Sequence, residues 1–207
     1  MGIVAAGRII LASASPRRIE LLKLTGLHFE VIPCCVNEAY RKGETPEEHV
    51  LRLSEKKAQV IVNQHPDAWV LGADTIVTIH GEILGKPGTA ASAKEMLGKL
   101  SGQKHRVVTG FTITRKTTGV LVREVVGSSV IFREIPEDEM SWYIRSEEPY
   151  DKAGGYAVQG MSALFIREIR GSYTNVMGLP LCELVETLKS IGAIEFSEEN
   201  HGMDAQG

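Results

Sequence analysis

The chain is 207 residues long, carries 23 Lys and Arg against 26 Asp and Glu for a formal net charge of −3, and is 43% apolar and 24% charged. This is the composition of an ordinary globular protein with enough chain to bury a core unaided. It argues against a nucleic-acid binder driven by phosphate contacts, and no run approaches the roughly 20 apolar residues that span a bilayer. Three cysteines, with Cys34 and Cys35 adjacent, make no disulfide framework. Met1–Gly7 lacks the basic segment and apolar run of a signal peptide, so a reducing cytoplasm is the expected setting.

In chain order, Arg8–Ala12 predicts a buried strand, followed by a helix from Pro16 to about Thr25 with Gly26 as its stop. Phe29–Ile32 predicts a second strand, and Pro46 to about Asn63 a long helix. Trp69–Ile79 is a strongly apolar strand that turns at His80-Gly81 into Glu82–Leu84. Ala90–Leu100 is helical. Arg106–Arg115 and Val120–Arg133 form a long hairpin about Thr118-Gly119. A helix opens at Pro136 and runs to about Arg145, Leu164–Glu168 is a strand, and Pro180–Ser190 is the last helix. The alternation predicts an α/β fold, with a mixed sheet because of the hairpin. One domain over residues 1–196 is expected, with a polar, unstructured tail over residues 197–207.

Three places break the local rules. Thr45-Pro46-Glu47-Glu48 is a capping box with both acids suited to the helix dipole. Ser15-Pro16-Arg17-Arg18 has an equally good start but puts two arginines at the positive end, each costing about 0.3–1 kcal/mol if unanswered. A Ser hydroxyl, free N–H groups and two guanidinium forks make an anion cradle suited to phosphate; the alternative is that both side chains bend away to surface carboxylates. Asp74 interrupts the run Val70–Val77, where an ionised carboxylate is expensive unless paired or metal-bound. A carboxylate at a strand end opening onto a cleft is the usual place of catalysis in open α/β sheets; the alternative is a turn Asp between two short strands. Lys57 lies near the middle of a helical face formed by Val50, Leu53, Ala58, Val60 and Ile61. It either snorkels out at an edge or reaches a site that needs a point charge.

Gly81–Pro87 resembles a P-loop but is one residue short between its glycines, with Pro87 where a magnesium-holding Ser or Thr belongs, so it is not a Walker motif. Lys86 can still present its ammonium to a phosphate. Asp151–Gly160 packs three glycines, two opposite charges, an aromatic ring and the Gln159 amide into ten residues. That suits either close backbone approach to a ligand, with an amide for a base edge, or an ordinary glycine-rich loop. The six scattered histidines give no zinc spacing, and there is no nucleophile elbow or catalytic-cysteine signature.

Together these segments resemble the Maf family of nucleoside triphosphate pyrophosphatases. The matching pieces are Leu11–Arg18, Glu38, Arg52–Ala58, Gly72–Thr75, Gly85–Pro87, Thr109-Gly110, Asp151–Gly160, Gly171–Tyr173 and Gly178–Leu181, spanning about residues 8–192 in the family's order. Ser-Pro-Arg-Arg, Ala-Asp-Thr and Asp-Lys-Ala-Gly…Gln-Gly resemble the dTTP/UTP-cleaving branch rather than the branch acting on 7-methyl-GTP. The resemblance implies a mixed twisted sheet flanked by helices, in two lobes around a central cleft, as in inosine triphosphate pyrophosphatases. It also implies cleavage of the α–β phosphoanhydride to a monophosphate and pyrophosphate, with Mg²⁺ or Mn²⁺. It assigns Asp74 as proton acceptor, Arg17, Thr75 and Gln159 as substrate-selecting, Ser15, Arg18, Lys57 and Lys86 to the triphosphate, and Glu38 with Asp74 to the metal. Asn37 stands where an acid often precedes the Glu, and Ala157 and Thr174 replace commoner residues. Two alternatives share the resemblance: a substrate that is a modified pyrimidine nucleotide, and a nucleotide-binding regulator of septum formation. Family members often dimerise, and the apolar hairpin over residues 106–133 offers a surface for a homodimer.

Overall fold

The computed structural model describes residues 2–197. Its strands are β1 (Gly2–Ala5), β2 (Ile9–Leu11), β3 (Glu30–Val31), β4 (Trp69–Ile79), β5 (Glu82–Leu84), β6 (Lys104–Arg115), β7 (Val120–Phe132), β8 (Ile166–Arg170) and β9 (Ile194–Ser197). Its helices are α1 (Pro16–Lys23), α2 (Pro46–Val62), α3 (Ala90–Leu100), α4 (Glu137–Ile144), α5 (Tyr173–Met177) and α6 (Leu181–Ser190). Among the described residues, no helix is long and apolar enough to cross a membrane.

The expected mixed sheet is present: β3-β2-β4-β6-β7-β8 in spatial order, with β5 also on β4. Among the described residues, the β2–β3 and β2–β4 pairings are parallel, whereas β5, β6, β7 and β8 join antiparallel. One edge of β4 is paired with β6 from Val70 to Thr78. Its other edge is shared, with β2 covering Trp69–Leu71 and β5 covering Val77–Ile79. Among the described residues no strand covers Gly72–Ile76 on that edge, because the chain leaves β2 after Leu11 and turns through Ser13 into α1. This break in the sheet edge positions the cleft.

Side chains of a strand alternate between faces. Leu71 and Ala73 enter a core with α1 and α6 residues such as Leu21, Leu22, Leu184 and Leu188. Val77 and Ile79 enter a second core with Leu97 of α3 and Tyr143 of α4. Val70, on the opposite face, packs with Ala58 and Ile61 of α2. Two apolar clusters thus lie along one face of the long central strands, and α2 covers the other. The start of α2 is the expected capping box: Thr45 Oγ1 accepts from the Glu48 amide at 3.2 Å, and Glu48 Oε2 accepts from the Thr45 amide at 2.8 Å.

Four expectations are corrected. Asp74 lies at the middle of β4 rather than at a strand end or in a turn, because β4 continues past the end of β2 to pair with β6 and β5. Val60 is 38% exposed and does not share the buried face of α2, on which Lys57 lies. The last sheet strand starts at Ile166, because Met161–Phe165 forms a 3₁₀ turn that buries Phe165. Ser197 is not tail: it pairs with Gly2 in a small two-stranded sheet of β1 and β9, two strands that no sequence signal marked. Residues 198–207 of the expected tail lie outside the described residues.

Candidate active site

The cleft at the break in the sheet edge has a volume of about 610 Å³ and is lined by Ser15, Arg17, Arg18, Glu38, Lys57, Asp74, Thr75, Lys86 and Gln159. Every sequence-predicted site residue therefore faces one cavity, of a size suited to a small ligand. A larger, open groove of about 1400 Å³ lies among the terminal strands and the end of α1. Its charged pair Arg8 and Glu30 is mutually bonded, and none of the groups above reaches it.

Asp74 points toward α2. Lys57 Nζ lies 2.7 Å from Asp74 Oδ1 and 2.6 Å from Glu38 Oε1. The Lys57 and Asp74 side chains are each only 10% exposed, whereas Glu38 is 58% exposed on its loop. Lys57 is thus no snorkelling residue: it joins a floor carboxylate to a rim carboxylate. Burial acts to raise the Glu38 pKa, but the Lys57 hydrogen bond and the charges of Lys57, Lys86 and Arg18 outweigh it and hold the carboxyl below its usual range.

Thr75, the next residue, points to the other face and meets α1. Arg18 is buried; its Nε donates to the Gly178 carbonyl at 2.8 Å, its Nη1 to Ser13 Oγ at 3.4 Å and its Nη2 to Thr75 Oγ1 at 2.9 Å. Burial lowers its pKa and Asp74 partly restores it; a guanidinium stays charged regardless. The Thr75 hydroxyl also meets Thr109 Oγ1 at 2.9 Å and the Gly178 carbonyl at 3.3 Å, so in this arrangement it fixes Arg18. Ser15 is the N-cap of α1, yet its side chain makes no capping bond and the first turn holds no acid. The start of α1 keeps the uncompensated positive character read from the sequence.

Lys86 and Gln159 are exposed at the mouth. The Gly154 amide donates to the Gly85 carbonyl at 2.9 Å, tying the Lys86 turn to the glycine-rich loop. Sequence reasoning did not single out Ser13, whose hydroxyl accepts from both Arg18 and the Ser15 amide, or Lys152, which lines the cleft and donates to the Glu148 carbonyl at 2.9 Å. A serine in a turn and a lysine in a loop violate no local rule, so neither carried a signal.

Among the described residues, no group of three or more His, Cys, Asp or Glu converges to hold a metal. Glu38 and Asp74, both at hydrogen-bond distance from Lys57 Nζ, bring two hard oxygen donors together. That set does not suit a closed protein cage. It does fit a Mg²⁺- or Mn²⁺-type ion, which takes one or two carboxylates and completes its shell with substrate phosphate oxygens and water.

A buried carboxylate, a lysine bridging it to a second acid, and a buried arginine beside an uncapped helix start form a pocket for an anionic ligand at which a proton can be moved. The family model for Maf-like proteins matches residues 8–191, and the chain belongs to that family. It is 62% identical over 194 residues to a dTTP/UTP pyrophosphatase of Syntrophus aciditrophicus (strain SB), covering 94% of this chain and 95% of that protein. It is 48% identical over 191 residues to a dTTP/UTP pyrophosphatase of Geotalea uraniireducens (strain Rf4), covering 92% and 98%. Among solved structures, a HAM1 protein from Coxiella burnetii aligns with a TM-score of 0.45 at 18% identity, over 63% of this chain and 75% of that one.

Proposed function

We propose that this chain hydrolyses the α–β phosphoanhydride of dTTP and UTP to the nucleoside monophosphate and pyrophosphate. The observation that carries the reading is the Glu38–Lys57–Asp74 bridge facing Arg18 across one cleft; the names of the relatives supply the bases. Water attacks the α-phosphorus, the bond from that phosphorus to the bridging oxygen breaks, and pyrophosphate leaves. Asp74 Oδ1 is held by Lys57, which leaves Oδ2 to accept the proton of the attacking water. Arg18, Lys86 and the start of α1 with Ser15 face the charge that builds on the leaving phosphates. Glu38 and Asp74 are the residues that would hold a divalent cation, which when bound neutralises phosphate charge and lowers the pKa of water. Arg17 and Gln159 line the cleft mouth, where Gln159 can both donate to and accept from a pyrimidine edge, and Thr75, which lines the same cleft, is read with them as substrate-selecting.

The test is pyrophosphate release with Mg²⁺ from dTTP, UTP, CTP, ATP, GTP and 5-methylated pyrimidine triphosphates. We expect dTTP and UTP to be cleaved at least about tenfold faster than GTP, a discrimination within reach of a few unmet polar groups. Equal rates on every base would overturn the assignment of substrate. We also expect Asp74→Asn to cut turnover by at least about 100-fold while nucleotide still binds; near-normal turnover would remove the proton acceptor from the mechanism.

A further inference from the structure

Gln159 has no fixed partner of its own, yet a side chain that selects a base must be held in place. Its backbone is pinned on both sides. Two residues before it, the Ala157 amide donates to Ser162 Oγ at 2.9 Å. Two residues after it, the Met161 amide donates to Glu148 Oε2 at 2.8 Å. Glu148 Oε1 accepts from the Ser162 amide at 3.2 Å and is within reach of the Ser162 hydroxyl at 2.8 Å and the Tyr143 hydroxyl at 3.1 Å. Each hydroxyl has one proton, so Tyr143 serves either Glu148 or the Gly155 carbonyl, 3.0 Å away, and Ser162 serves either Glu148 or the Ala157 carbonyl, 2.9 Å away. The two amides are committed to Glu148 in either case. Consecutive amides aimed at one carboxylate form a backbone nest for an anion, here filled by the protein's own side chain.

Gly160, directly after Gln159, shows how tight the fit is. A Cβ there would stand 2.5 Å from Glu148 Oε2 and 2.6 Å from Oε1, and its φ of +150° is one that residues with side chains rarely adopt. The backbone at this position calls for glycine by itself, and a side chain there would in addition displace the Glu148 carboxylate.

We propose that Glu148 is a positioning residue for base selection: its carboxylate clamps the Gly160–Ser162 backbone and so fixes where Gln159 stands at the mouth of the cleft. The inference rests on the proposed reading of Gln159 as a base-contacting residue. Glu148 touches neither the phosphate-binding groups nor Asp74, so its loss acts on the base end of the substrate alone.

The experiment compares wild type, Glu148→Gln, Glu148→Ala and Gly160→Ala by steady-state kinetics on dTTP, UTP and GTP, with thermal unfolding and inhibition by inorganic pyrophosphate, which has no base. For Glu148→Ala we expect the ratio of kcat/KM for dTTP over GTP to fall about tenfold or more, mainly through a higher KM for dTTP. Pyrophosphate inhibition should stay within about twofold of wild type, as expected when only the base end is touched. Glu148→Gln keeps one acceptor but turns an NH₂ toward the other donor, so it should fall between the two. Gly160→Ala reaches the same interaction from the opposite side and should reproduce the loss of selectivity. Folded variants with an unchanged dTTP:GTP ratio, or with equal losses on all three nucleotides, would overturn the proposal and make Glu148 a structural clamp. Where Glu148→Ala does not fold, Glu148→Gln and Gly160→Ala decide by the same ratio. A wild type without base preference would overturn the reading of Gln159 as well, whereas a selective wild type beside equally selective variants overturns this inference alone.

Discussion

Lys57 and Asp74 show what a single pair contributes and what it costs. Each side chain is 10% exposed; Asp74 is paired with Lys57, and Lys57 is shared between Asp74 and the more exposed Glu38. Breaking a buried pair from one side leaves an unpaired charge, whereas replacing both partners by apolar groups can be neutral. Lys57→Ala should therefore destabilise the fold by about 3–5 kcal/mol and abolish turnover. The double variant Lys57→Met, Asp74→Leu should recover most of that stability while remaining inactive, and urea denaturation of the two proteins checks both statements. His105 gives a second residue-scale prediction. It is buried 2.7 Å from the Tyr156 hydroxyl, and burial pushes its pKa from 6.5 down to about 4. Between those values the unfolded chain binds a proton that the native protein does not, so stability is retained above pH 6.5 and is lost as pH falls toward 4, with a slope of up to about 1.4 kcal/mol per pH unit. His105→Gln should flatten that slope in urea titrations at pH 7, 5.5 and 4.5, and an unchanged slope would mean that His105 is protonated in the native state. Asp74, Lys57 and the Arg17-Arg18 pair were legible in the sequence because each contradicts the element that carries it. Glu148 was not, because an acid before Pro149 in a turn contradicts nothing until the chain fourteen residues later folds onto it.

At the scale of elements, the distance between Lys57 and Asp74 is set by how closely α2 lies on β4 and β6. Two glycines set that distance. A Cβ on Gly72 would stand 2.2 Å from the Ser54 carbonyl oxygen, and one on Gly110, the cross-strand partner of Asp74, would stand 2.7 Å from the Val50 carbonyl carbon. Both contacts are with helix backbone, which has no rotamer to change. Gly72→Ala and Gly110→Ala should each push α2 outward, destabilise by about 1–3 kcal/mol or more, and lower kcat/KM by about tenfold or more through the displaced lysine. Gly98→Ala is the control: it lies within α3 with nothing within 4 Å, and should stabilise by about 0.5–1 kcal/mol. Denaturation midpoints and kinetics on the three variants would sink the argument if all behaved alike. Helices and long strands were legible because their apolar periods and caps are local, as in the bounds of β4 and α3, which matched the sequence reading. Some short elements were legible too, as with β5, which the His80-Gly81 turn marks, but others were not. β8 and the turn before it share one apolar run, and only the burial of Phe165 against the α4 core separates them. α5 has five residues and takes its start from Ser172, whose hydroxyl accepts from the Asn175 amide, a cap with no long apolar period behind it.

At the scale of the whole molecule, the alternation of elements revealed an α/β fold with a mixed sheet, but not the break along β4 that makes the cleft. That break depends on β2 ending opposite Leu71 and β5 ending opposite Val77 on the same edge of β4, and the first of these is a matter of register between strands some sixty residues apart in sequence. The same non-locality hid β1 and β9, where Gly2 pairs with Ser197 and the Ala6 amide donates to the Ala193 carbonyl at 2.9 Å. These terminal strands supply a test of how far the site depends on the rest of the fold. α1 starts at the cleft with Ser15 and ends beside the terminal strands, where Leu24, Thr25 and Gly26 share a groove with residues of β1. At eight residues the helix is about 12 Å long, which separates the two regions. Deleting the first five residues removes the β1 ladder and the packing of Ile3 and Ala5 on the α1/α6 core. The loss should be about 1–2 kcal/mol and the melting temperature should drop by about 3–6 °C. Turnover on dTTP should stay within about twofold of the full chain, because Arg18 is held by Gly178, Ser13 and Thr75 and by nothing from the terminal sheet. A deletion protein that melts as expected but loses turnover would show that α1 transmits strain from the terminal pair to Arg18, and that the cleft is set by the whole sheet rather than by the break in its edge.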